Sequence, residues 1–140
     1  MAYKSIMDHF DKIRARVIAS NLADNIDLHP RAREDDKWRG GIFGTITFRN
    51  GGELQLKEEA RMDRMTKDID VQKYAYEYTG EGGFYFRYEM DTEASRNKDG
   101  TNRTNHPEFH LHVNSEEPRY MTHKTSFIEV FDFVVACFYS

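Results

Sequence analysis

Apolar residues recur at spacings of four, three and four from Ile6 through Phe10 and Ile13 to Val17, with Asp8, Asp11, Lys12 and Arg16 between them. That spacing predicts an amphipathic helix, closed by Ser20-Asn21 and then by Asn25 and Pro30. Residues 24–39 show no period and carry Trp38 as their large anchor. At Ile42 the period becomes two: Ile42, Gly44, Ile46 and Phe48 alternate with Phe43, Thr45 and Thr47 up to Arg49. Asn50-Gly51 follows, a strong tight-turn signal because such turns need positive φ, and Leu54, Leu56 and Ala60 continue the apolar face.

Val71 to Thr79 and Phe84 to Met90 predict a second hairpin around Gly80-Glu81-Gly82-Gly83. Register decides which side chains share a face. The register pairing Tyr76 with Phe86 and Lys73 with Glu89 gathers Tyr74, Tyr76, Tyr78, Phe84, Phe86 and Tyr88 on one side. Residues 91–105 form a polar insert, expected to be mobile. Glu108 to Asn114 then alternates as a fifth strand, with Phe109, Leu111 and Val113 inward and His110 and His112 outward. Ser126 and Glu129 fit a capping box at the start of a helix to Tyr139 whose polar residues are Glu129 and Asp132. A helix apolar nearly all round needs cover on more than one side. The order predicts one α+β domain over 1–140, a five-stranded antiparallel meander with N-terminal and C-terminal helices packed on one face.

Composition narrows the function classes. The 140 residues carry 20 Lys and Arg against 24 Asp and Glu, a formal net charge of -4. The pI near 5.9 argues against a generic nucleic-acid coat, since non-specific affinity comes from neutralising phosphates. One cysteine, Cys137, permits no internal disulfide and reads as a buried small hydrophobe. The apolar run from Phe133 to Tyr139 is far shorter than the ~20 residues a membrane helix needs, and no apolar signal core opens the chain. These features predict a cytoplasmic protein without membrane contact.

Candidate chemistry gathers on the polar sheet face. Residues two apart on a strand point the same way, which puts His110 and His112 about 7 Å apart on one surface. Tyr85, Arg87 and Glu89 leave the neighbouring strand on that side, and Lys57 and Glu59 can join them. Two imidazoles beside a guanidinium suit metal-independent phosphodiester cleavage, which needs a base, an acid and a cation. Arg87, His110 and His112 are the expected catalytic residues, and Tyr85, Glu89 and His106 the expected binding residues. The alternative is a solvated polar face without chemistry. No spacing matches a strong metal signature, so neither a metal nor a cofactor is expected.

The run Tyr74-Ala75-Tyr76-Glu77-Tyr78, then Phe86-Arg87-Tyr88-Glu89, His106-Pro107-Glu108, His110-Leu111-His112-Val113 and Glu129-Val130 resembles the TumE family of toxin–antitoxin proteins. The typical family run has an Asp where Glu89 stands, a shorter insert and a doubled histidine. The resemblance implies a small cytosolic prokaryotic or phage toxin paired with a DNA-binding antitoxin. It carries over to Arg87, Tyr88, His106, His110 and His112. Two functions are therefore expected: a toxin-like ribonuclease acting on RNA, or a non-catalytic module docking an antitoxin or a second copy, as a homodimer, through its apolar C-terminal helix. Phe127, Phe131, Val134, Val135 and Phe138 would form that contact face.

Overall fold

The computed structural model describes residues 5–92, 95–103 and 106–139. The first helix, α1 (Ile6–Ser20), starts in a reciprocal cap between Ser5 and Asp8, and buries Ile6, Phe10, Ile13 and Val17. Asn21 ends it in the left-handed conformation, a stop that asparagine accepts readily.

One sheet of seven antiparallel strands follows, its spatial order identical to its chain order: β1 (Ala23–Ala32), β2 (Arg39–Phe48), β3 (Glu53–Met62), β4 (Ile69–Thr79), β5 (Tyr85–Met90), β6 (Phe109–Val113) and β7 (Tyr120–Met121). The five-stranded meander expected from sequence is thus two strands short. β1 sits in the stretch without an apparent period. Its inward side carries Ile26, Leu28, Pro30 and Ala32, a thin signal among charges. Pro30 is tolerated because β1 is an edge strand, where a missing donor need not break a ladder. β7 is two residues long and too short to show a period.

The β4–β5 hairpin keeps the expected faces but not the expected partners. Tyr76 pairs with Tyr88 and Ala75 with Glu89, two residues on from the Tyr76–Phe86 and Lys73–Glu89 pairing. A 3-10 turn over Glu81–Gly83, with Gly82 and Gly83 at positive φ, lengthens the connection to residues 80–84. A two-residue shift preserves side-chain parity, so the aromatic face survives. At Gly44 a Cβ would lie 1.9 Å from the Asp27 carbonyl oxygen, so only glycine lets β1 approach β2 there.

Both helices cover the same face. α1 lies over β1, β2 and β3, while α2 (Phe127–Phe138) lies over β4 and touches α1. Ser126 caps α2 by accepting from the Glu129 N–H, and Arg16 joins the helices through Asp132 at 2.5 Å. Tyr76, Tyr78, Phe48, Phe127 and Phe131 are buried between the layers. Each such ring stabilises the fold by about 1.5–3 kcal/mol through area removed from water. α2 buries Phe127, Val130, Phe131 and Val134, so three residues of the expected contact face are taken up by the core, and of that face Phe138 is exposed, together with Phe133 from outside it. Cys137 is exposed rather than buried, because it falls on the outer side of this helix. Of the polar insert, residues 93–94 and 104–105 lie outside the described residues, and an Arg96–Asn102 bridge closes the part between.

Candidate functional site

The sheet register carries side chains across the helix-free face in continuous rows. One row runs His29, Phe43, Lys57, Ala75, Glu89, His110 and Met121. The next runs Asp27, Thr45, Gln55, Glu77, Arg87 and His112. Antiparallel pairing therefore sets Glu89 opposite His110 and Arg87 opposite His112.

The guanidinium of Arg87 is the hub. Its Nη1 donates to Glu77 at 3.0 Å, its Nη2 to Glu116 at 2.6 Å and its Nε to Glu89. Burial opposes its charge, but the hydrogen bond to Glu116, the field of Glu89 and the hydrogen bond to Glu77 outweigh that and raise its pKa. Three carboxylates around one guanidinium leave a local excess of negative charge.

The imidazoles are not on a wet surface. His110 and His112 are 0% and 1% exposed, with the backbone of Pro107 against one ring and that of Glu116 against the other. Strand alternation gives the face but not its cover, and that is why the solvated reading of this face fails here. The ring centroids of His110 and His112 are 4.9 Å apart, nearer than the strand repeat implies, and His106 stands 5.0 Å beyond His110. His106 has its pKa lowered by burial and then by the Arg119 cation, and its Nε2 is buried without a hydrogen-bond partner among the described residues.

Backbone carbonyls orient both central rings. His110 Nδ1 lies 2.8 Å from the Pro107 oxygen and His112 Nδ1 2.8 Å from the Glu116 oxygen. A carbonyl only accepts, so each Nδ1 carries the proton and each neutral ring presents a lone pair at Nε2. Both lone pairs face Glu89: His110 Nε2 is 3.2 Å from Oε2 and His112 Nε2 is 3.9 Å from Oε1. His112 Nε2 is buried and has no hydrogen-bond partner among the described residues. His110 can donate to Glu89 from Nε2 only as an imidazolium. In that state the hydrogen bond from His110, against burial and with help from Arg87, holds the Glu89 carboxyl down at about 2.

Arg87, Glu89, His106, His110 and His112 thus meet in one place, with Tyr85 at its margin, 3.5 Å from Glu116, whereas Tyr88 lies on the opposite, helix-covered face against the core. Glu77 and Glu116 were missing from the sequence reading. Glu77 had a signal, since it shares the parity of Arg87 on the paired strand, whereas Glu116 lies in a turn that no period marks. The centre opens to solvent on the Glu89 side, where a recess of about 160 Å³ is lined by Lys57, Glu59, Lys73 and Asp91.

Among known proteins, no curated protein and no solved structure matches this chain. A family model described as toxin TumE matches residues 13–136, which takes in the whole sheet, the second half of α1 and most of α2. The chain belongs to the TumE toxin family.

Proposed function

We propose that this chain is the toxin of a toxin–antitoxin pair and that it cuts RNA at the Arg87–Glu89–His110–His112 cluster. The observation that carries the reading is the convergence of two Nε2 lone pairs on one carboxylate beside a guanidinium. RNA supplies its own nucleophile. When the 2′-hydroxyl oxygen attacks phosphorus, its proton must be taken up, the P–O5′ bond breaks, and O5′ must gain a proton as the cyclic phosphate forms. The Nε2 atoms and Glu89 are the groups that can hold that proton or an ion that activates the hydroxyl, and Arg87 is the cation beside the developing charge.

A polynucleotide also suits the surface beyond the centre. The row from Glu89 to His29 crosses four strand spacings, roughly 19 Å. It carries Lys57 and ends in an exposed Phe43 stacked on His29 at 5.1 Å, the pairing of cation and ring that single strands favour. The test is cleavage of single-stranded RNA by the purified chain, alongside growth on induction with and without its antitoxin. His112→Gln and Arg87→Lys should lower cleavage by about 10²–10⁴-fold with the circular-dichroism melt retained. Full cleavage by either folded variant removes the assignment.

A second reading, a module that docks an antitoxin or another copy, draws on the partly exposed Phe133 and Phe138 of α2. Light scattering of the chain alone and with its antitoxin decides it. A monomer that the antitoxin leaves unchanged argues against docking at α2.

A further inference from the structure

The structure assigns a divalent transition-metal site to Glu89, His110 and His112. One ligand atom from each can be chosen so that all three lie within 4.8 Å of one another. The separations of 3.2 Å from His110 Nε2 to Glu89 Oε2 and 3.9 Å from His112 Nε2 to Glu89 Oε1 lie on either side of the edge of a tetrahedron, about 3.3–3.4 Å, that bonds of 2.0–2.1 Å would build, so a small turn of the carboxylate suffices.

Three further features point the same way. Each ring donates its Nδ1 proton to a backbone carbonyl, the outer contact that fixes metal-binding imidazoles with Nε2 free. His112 Nε2 is an acceptor inside the protein with nothing to accept from, a state that costs free energy until a cation arrives. Glu77, Glu89 and Glu116 outnumber Arg87 by two negative charges, the amount one divalent ion cancels. Arg87, bonded to Glu89 Oε1, would act as a positioning residue for the ligating carboxylate.

Two imidazoles and a carboxylate favour zinc and its first-row neighbours over magnesium or calcium, which take oxygen-rich sets. Three protein ligands leave a fourth position for water or a phosphate oxygen. The rival occupant is the proton, with both rings as imidazolium. The metal assignment does not rest on the RNA reading, because ion binding is measured without substrate.

The experiment strips the full-length chain with a chelator and titrates it with Zn2+ by calorimetry, and with Co2+ by visible absorption. One ion per chain should bind with a Kd below about 1 μM. His112→Ala should weaken binding at least ~100-fold, beyond what loss of an outer contact causes. Exposed His123→Ala, away from the cluster, should leave it unchanged. If His112→Ala does not fold, Glu89→Gln and His112→Gln carry the comparison. Absence of stoichiometric Zn2+ and Co2+ binding by the wild type would overturn the site, as would binding that survives loss of both histidines. RNA cleavage absent from a chain that binds one Zn2+ would remove the RNA reading and leave the metal site standing.

Discussion

Glu58 and Glu89 are both carboxylates set against imidazoles on this sheet, and they are finished in opposite ways. Glu58 lies on the helix side, 2% exposed, with one oxygen receiving the Tyr76 hydroxyl at 2.5 Å and the other lying 2.6 Å from His9 Nε2. Each of its oxygens has a partner, and aromatic rings and α1 close over the group. Glu89 lies on the other side, a quarter exposed, facing two nitrogen lone pairs that have no proton to give in the neutral rings. A buried carboxylate whose oxygens are both met by donors fixes a fold, whereas Glu89, with Arg87 on one oxygen and imidazole nitrogens facing both, keeps room for a further cation. The two groups teach that burial of a histidine–glutamate pair says little until its protons are placed.

The largest effect should come from the completed group. Glu58→Ala leaves the Tyr76 hydroxyl and the His9 ring without their buried acceptor, and it should cost about 3–5 kcal/mol in urea denaturation. RNA cleavage per folded molecule should not change. A loss under about 1 kcal/mol would mean that Glu58 is as dispensable to the fold as an exposed residue.

Next comes alkaline pH. Burial, then Glu58, raises the Tyr76 hydroxyl well above 10, and burial raises Tyr74 as well. The unfolded chain releases these protons first, so their contribution is complete below pH 10 and is lost as pH climbs beyond it. Tyr76→Phe should cost about 1–3 kcal/mol at neutral pH by stranding a Glu58 oxygen, and should make the alkaline decline shallower. An unchanged alkaline slope in that variant would show that Tyr76 ionises as freely as in the unfolded chain.

The smallest stability change belongs to the unfinished group. Glu89→Gln removes a hydrogen-bond acceptor but also relieves three carboxylates crowded on Arg87, at a site that water partly screens. Stability should stay within about 1 kcal/mol while cleavage is lost. A loss as large as that of Glu58→Ala would make the two groups alike and end the contrast.

The aromatic side was legible because it follows from alternation and two turn signals. Tyr74, Tyr76, Tyr78, Phe86 and Tyr88 kept their face even though the hairpin register moved by two, since parity is insensitive to an even shift. β1 was not legible, because Ile26, Leu28 and Ala32 are spread among charges and Pro30. At the site, period two brought Arg87, Glu89, His110 and His112 to one side. Their enclosure depends on carbonyls of Pro107 and Glu116, which lie outside the strands and leave no trace in hydrophobic spacing.

Because every strand neighbours its successor, the residues of the centre span one continuous stretch, 77 to 116, and all of them precede α2. On the ribosome, the chemistry-bearing strands therefore emerge while Phe48 and Tyr76 still lack the rings of Phe127 and Phe131 that will shield them. A nascent chain stopped before residue 127 would hold every residue of the centre yet leave Phe48 and Tyr76 uncovered. The strands that carry the centre therefore depend on a segment made after them, α2, for the cover of their own opposite face.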